Sequence, residues 1–213
     1  MEKLAPLALW GSRSVLWLLA LLSVASIAIM VERLVWFARR RADADALAHA
    51  LLEKLSRGDV DGALQELRGG RSVESQVLAE ALVWYEAGPE ALAQALQASV
   101  RAHRKRINDG MVFLGTLGNN APFVGLLGTV LGVVTAFGEL GANAVGAMGN
   151  VMTGIGEALV ATAVGILVAL PAVASYNLLQ KRSLDIEENV ARLGHVALAV
   201  LERRRSRRVE GER

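Results

Sequence analysis

Residues 151–180 read VMTGIGEALVATAVGILVALPAVASYNLLQ, and the only charge among them is Glu157. This apolar stretch is longer than the roughly 20 residues a helix needs to span a bilayer. Gly154, Ala158, Ala161, Gly165, Ala169 and Ala172 recur at spacings of three and four, so a helix here carries one continuous small face. In lipid, where apolar burial gives no drive, small faces let two backbones approach and pack. The stretch therefore reads as a transmembrane helix built to pack against another of its kind.

That partner lies upstream. Met111 to Leu140 is a second apolar run, in which Gly118, Ala121, Gly125, Gly128, Gly132 and Ala136 form a matching small face. From Gly110 to Gln180 there is no Lys, Arg or His, and the two carboxylates are Glu139 and Glu157. A third run, Ser14 to Val31, is uncharged. Its flank, Glu32-Arg33 and then Arg39 to Arg41, reads as stop-transfer, so this is a retained span and not a cleaved leader. Basic residues follow span one, precede span two (Arg101, Arg104, Lys105, Arg106) and follow span three (Lys181, Arg182 and the run Arg203 to Arg208). By the positive-inside rule, those flanks are cytoplasmic.

The fold class is thus an all-α integral membrane protein with three transmembrane helices and long helices extending into the cytoplasm. Residues 1–13 form a periplasmic N-terminus and 14–38 the first span. A cytoplasmic helical region covers 39–109, the second span 110–140, a periplasmic turn 141–146, the third span 147–180 and a cytoplasmic tail 181–213. Within the cytoplasmic region, Arg57-Gly58-Asp59 ends one helix, Asp61 can cap the next, and Ser72 caps a helix through Glu86. Pro89 suits a first helical turn. No breaker follows before Gly110, so the Pro89 helix is expected to run straight into span two. The apolar stripes of such tall helices need neighbours, which argues for an oligomer. The basic end, ERRRSRRVEGER, is suited to anionic lipid or to a solvated tail.

Composition excludes other classes. The chain has 213 residues, no cysteine and a net charge of +2, so disulfides, thiolate chemistry and a field for nucleic acid are out. His49, His103 and His195 have no zinc spacing. No phosphate loop or nucleophile motif points to an enzyme, a cofactor or a metal.

Glu157 carries the chemistry. A carboxylate deep in lipid costs about 2.5 kcal/mol or more, so it faces water or a partner and is functional by default. If the hairpin turns at Asn143, Glu157 lies 14 residues after the turn and Thr129 14 before it. Both then sit about 21 Å from the tip, near mid-membrane. Glu139 falls at the mouth. Thr129, Thr153 and Thr162 bring hydroxyls that relay protons or hold water; back-bonding to their own helix is the competing role, and it is the one assigned to Thr135. Pro122 and Pro171 permit kinks, with Asn119 and Asn120 placed to satisfy freed carbonyls.

At these residues the sequence resembles the ExbB/TolQ branch of the MotA/TolQ/ExbB proton-channel family. The family pattern A-P-x-x-G-L-L-G-T-V-x-G falls on Ala121 to Gly132. G-I-x-E-A-L-x-A-T-A-x-G falls on Gly154 to Gly165, and P-A-V and Y-N on Pro171 to Val173 and Tyr176-Asn177. One departure is Gly156, where the family often has Ala. The resemblance implies that Glu157 is the channel glutamate, with Thr162 and Thr129 beside it on the proton pathway. It leaves Gly128, Gly132, Gly154, Ala158 and Gly165 to helix packing and Pro122 and Pro171 to kinks.

The resemblance further implies a homo-pentameric ring in the bacterial inner membrane around a dimer of an ExbD/TolR-like single-span partner. A TonB- or TolA-like envelope-spanning protein would lie beyond it. Proton flow would then drive TonB-dependent uptake, Tol-dependent envelope constriction or gliding motility, and one charge crossing 100 mV releases about 2.3 kcal/mol. The competing readings are a passive ion channel and a membrane scaffold subunit. A scaffold has little reason to keep Glu157, and a secondary transporter would need an inverted repeat.

Overall fold

The computed structural model describes residues 12–142 and 147–211. Among them there is no strand. The helices in chain order are α1 (Ser12–Arg39), α2 (Ala44–Arg57), α3 (Val60–Gly69), α4 (Val73–Leu82), α5 (Pro89–Ile107), α6 (Met111–Ala142) and α7 (Ala147–Gly211). A 3-10 turn, Tyr85–Ala87, stands between α4 and α5. Helices α1, α6 and α7 are long and apolar enough to cross a membrane. The all-α membrane architecture expected from the hydropathy is therefore what the chain adopts. The expectations for residues 1–11 and for the turn at 143–146 lie outside the described residues, as do the last two residues of the tail and the surroundings of Glu139.

The chain divides into two compact units, Met1–Arg33 with Gly110–Leu178, and Leu34–Asp109 with Leu179–Arg213. In the first unit α6 and the start of α7 run antiparallel, and the register can be read from the glycines. A Cβ on Gly118 would stand 2.5 Å from Val173, and one on Gly115 would stand 3.1 Å from Tyr176. Further along, a Cβ on Gly125 would stand 2.7 Å from the Ala161 carbonyl, and one on Gly165 would stand 2.6 Å from the Ala121 carbonyl. Gly154 faces Ala136. Helix α1 closes the unit, burying Val15 and Leu19 with Leu117, Ala121, Val168, Ala169 and Ala172. It runs parallel to α7. Val15 stands at Gly128 beside Ala161, and about four turns on, the Ser175 hydroxyl donates to the Met30 sulfur at 2.7 Å. Pro122 and Pro171 lie inside helices that continue through them. Pro122 frees the Gly118 carbonyl, yet the Asn120 amide goes to the Thr116 carbonyl, 2.7 Å away.

The second unit is a bundle around the far part of α7. Leu51, Leu55, Leu67, Leu78, Leu82, Tyr85 and Leu92 pack with Leu193, Ala197 and Val200. The caps differ from expectation at two places. Asp59, not Asp61, caps α3, its carboxylate accepting from the Gly62 amide at 2.8 Å; Asp59 follows Gly58, whose φ of 87° has already ended α2. Helix α4 stops at Leu82, because the chain tightens into the 3-10 turn before Gly88 (φ 108°) and Pro89.

One expectation is overturned. The Pro89 helix does not run into the second span. It stops at Ile107, and α6 starts anew at Met111. Gly110 adopts φ 72°, a left-handed conformation that breaks a helix and favours glycine. Two residues earlier, the Asn108 side-chain oxygen accepts a hydrogen bond from the Ser183 hydroxyl at 2.9 Å. Asn108, Asp109 and Gly110 together form the breaker, where only the glycine had been weighed. The tail, in contrast, is helical to Gly211. Arg204 lies against Gly58, where any Cβ would meet its guanidinium at 2.2 Å.

Candidate functional site

Glu157 stands on α7 at the margin of the small-residue seam. Its neighbour Ala158 is fully buried, whereas the Glu157 side chain is 44% exposed. Its Oε1 accepts a hydrogen bond from Nη2 of Arg13, 3.3 Å away. Arg13 belongs to the first turn of α1, and its side chain is 80% exposed.

Thr162 lies 5 residues further along α7, inside the seam, where its Cα would stand 2.9 Å from a Cβ on Gly125. Its hydroxyl is buried without a hydrogen-bond partner. That is unusual for a helical threonine, whose hydroxyl ordinarily bonds a carbonyl three or four residues back. Three other threonines, Thr129, Thr135 and Thr153, take that ordinary course. Thr129 donates to the Leu126 carbonyl at 2.6 Å, Thr135 to Leu131 at 2.9 Å and Thr153 to Gly149 at 3.0 Å. Thr129 keeps only its acceptor capacity. Thr162 has donor and acceptor both unused, so the seam holds one polar group ready for a water or a proton.

The register corrects the expected levels. Gly125 and Gly128 face Ala161 and Thr162, and Ala136 faces Gly154. Thr129 is therefore level with Ala161 and Thr162. Glu157 stands about one turn nearer the 143–146 end, opposite the neighbourhood of Gly132. Placing the turn at Asn143 put the hairpin's axis of symmetry about two residues too early, and an antiparallel pair doubles that error. The parallel packing of α1 brings Arg13 to the level of Glu157. Arg13 is the basic residue that flanks the uncharged run of α1 on its N-terminal side. Its place one residue before an uncharged run was legible, but the register that pairs it with Glu157 was not.

Two carboxylates of the second unit stand out. Glu74 is buried in the first turn of α4, with Oε1 accepting from Asn189 at 3.3 Å and Oε2 unpartnered. Burial pushes its proton affinity up against the opposing Asn189 bond. For Glu80 a burial effect in the same direction is outweighed by hydrogen bonds from Ser99 and His103, and its value falls below the usual carboxylate range. The Glu80–His103 contact is 2.9 Å.

Comparison with known proteins points one way. The family model described as the MotA/TolQ/ExbB proton channel family matches residues 70–192. Biopolymer transport protein ExbB of Neisseria meningitidis (serogroup A) is 32% identical over 193 residues, covering 84% of this chain and 86% of that protein. Tol-Pal system protein TolQ of Pseudomonas aeruginosa is 33% identical over 129 residues, covering 60% of this chain and 56% of its own. Putative biopolymer transport protein ExbB-like 2 of Helicobacter pylori is 44% identical over 73 residues, covering 34% of this chain and 49% of its own.

Proposed function

Because the chain belongs to the MotA/TolQ/ExbB proton channel family, we propose that it forms the proton-conducting ring of an inner-membrane motor of the ExbB/TolQ kind. It is a membrane protein of a motor-type, channel-forming family. The finer reading is a homo-pentamer around a dimer of an ExbD/TolR-like single-span partner. The N-terminus is periplasmic, the second unit and the tail are cytoplasmic, and a TonB- or TolA-like protein carries force outward. The process driven belongs to the set of uptake, envelope constriction and gliding.

In this reading Glu157 takes a proton from one side of the membrane and gives it up to the other. Thr162 and Thr129 line the adjoining step. The observation that carries it is that one helix, α7, holds both a carboxylate at the seam margin and, five residues on, the buried, unused hydroxyl of Thr162. A packing seam alone has no use for either group, since each costs free energy where lipid or protein replaces water. The test is Glu157→Gln in cells, which keeps size and hydrogen bonding but cannot ionise. Loss of motor output with an assembled ring, checked by native mass spectrometry, supports the reading. Normal output refutes it and favours a scaffold.

A further inference from the structure

We propose that Arg13 is the resident counter-ion of Glu157 and that protonation of Glu157 releases it. The inference rests on the reading of Glu157 as the proton carrier. It starts from the ion pair of 3.3 Å between residues 144 apart in sequence. From Gly110 to Gln180 the two packed helices have no positive charge of their own to offer Glu157. Arg13 opens the helix whose following residues, Ser14 to Val31, carry none.

The pairing is built into the packing. A Cβ on Gly128 would stand 2.7 Å from the Ala161 side chain and 3.0 Å from that of Val15, so all three membrane helices meet at that one residue. Val15 is held there, two residues from Arg13, and Ala161 is one turn from Glu157. An opposite charge within ion-pair distance favours the charged form of a carboxylate. An arginine at the end of an apolar run has a long stem that lets its head group follow that anion or move to the interface.

The step balances simply. A hydronium on the entry side transfers one proton to the Glu157 carboxylate and leaves water. The neutral acid no longer holds the guanidinium, and Arg13, still +1, is released. When the acid gives its proton to water on the exit side, the ion pair re-forms. No bond other than O–H is made or broken. The charge seen by the start of α1 therefore changes with every proton carried, which couples α1 to the cycle.

The test uses the full chain in membranes with whatever partner co-purifies, and the probe is dicyclohexylcarbodiimide, which labels protonated carboxyls in apolar surroundings. Glu157 labelling at pH 7 is followed by peptide mass spectrometry, with Glu157→Gln as the blank. Arg13→Gln should raise the labelling rate about two- to fivefold, in the range of an exposed ion pair, and Arg13→Lys should return it near the wild-type rate. A purely structural role for Arg13 would leave the rate unchanged. An unchanged rate in Arg13→Gln overturns the counter-ion assignment even where Glu157→Gln abolishes output. Failure of Glu157→Gln to affect output overturns the proton-carrier reading instead.

Discussion

Gly165→Ala should loosen the hairpin of α6 and α7, and Gly156→Ala should not. A Cβ on Gly165 would meet the Ala121 carbonyl oxygen at 2.6 Å, and Gly125 at 3.0 Å from its Cα and 3.2 Å from its nitrogen. All three are backbone atoms, so relief requires moving a helix by several tenths of an ångström. A gap of that size along a seam forfeits a quarter to a half of each dispersion contact. Overpacking of this kind costs about 1–3 kcal/mol, set against a helix-propensity gain of up to about 1 kcal/mol. At Gly156 no atom lies within 4 Å of the added carbon, so only the propensity gain applies. Thermal unfolding of the detergent-solubilised protein, followed by its four tryptophans, separates the two. Gly165→Ala should melt lower than the wild type and Gly156→Ala at or above it. Equal melting of the two variants would refute the close approach at this seam.

Thr162→Val should move stability and function in opposite directions. Removing a buried, unpartnered hydroxyl relieves a burden of about 1–3 kcal/mol, so the melting temperature rises, while proton-driven output falls; an unchanged output assigns the hydroxyl to packing. Glu74→Gln tests the second unit. Burial raises the folded-state proton affinity of Glu74, so wild-type stability declines as pH rises from the ordinary carboxylate range through the raised value, and then levels. The variant should therefore melt higher than the wild type at neutral pH, with the advantage vanishing below the ordinary carboxylate range. A pH-independent difference would contradict the burial effect. A reporter fused near Gly88 should behave as cytoplasmic and one in the 141–146 turn as periplasmic; the reverse would refute the orientation read from the basic flanks.

The membrane helices and their small faces were legible because lipid imposes two simple demands, apolar length and close packing, and both are written in periodicity. The Gly58 stop, the Ser72 cap and Pro89 were legible as local chemistry. The break at Asn108 to Gly110 was not, since a lone glycine can continue a helix or leave it, and the φ of 72° that Gly110 adopts is not written in its identity. At the site, Glu157 could be singled out because it is a charge where none is expected. Its level relative to Thr129 needed the register, which two residues of error in the turn displaced by a full helical turn. Arg13 became visible only once α1 was packed beside α7.

Proton flux is the direct measure of the central claim. The purified protein, with any partner that co-purifies, is reconstituted into liposomes, a pH gradient and potential are imposed, and an internal pH-sensitive dye records proton entry. Wild-type protein should conduct, and Glu157→Gln should fall to the rate of protein-free liposomes while its native mass stays that of the intact assembly. A Glu157→Gln assembly that conducts protons at the wild-type rate would contradict the account.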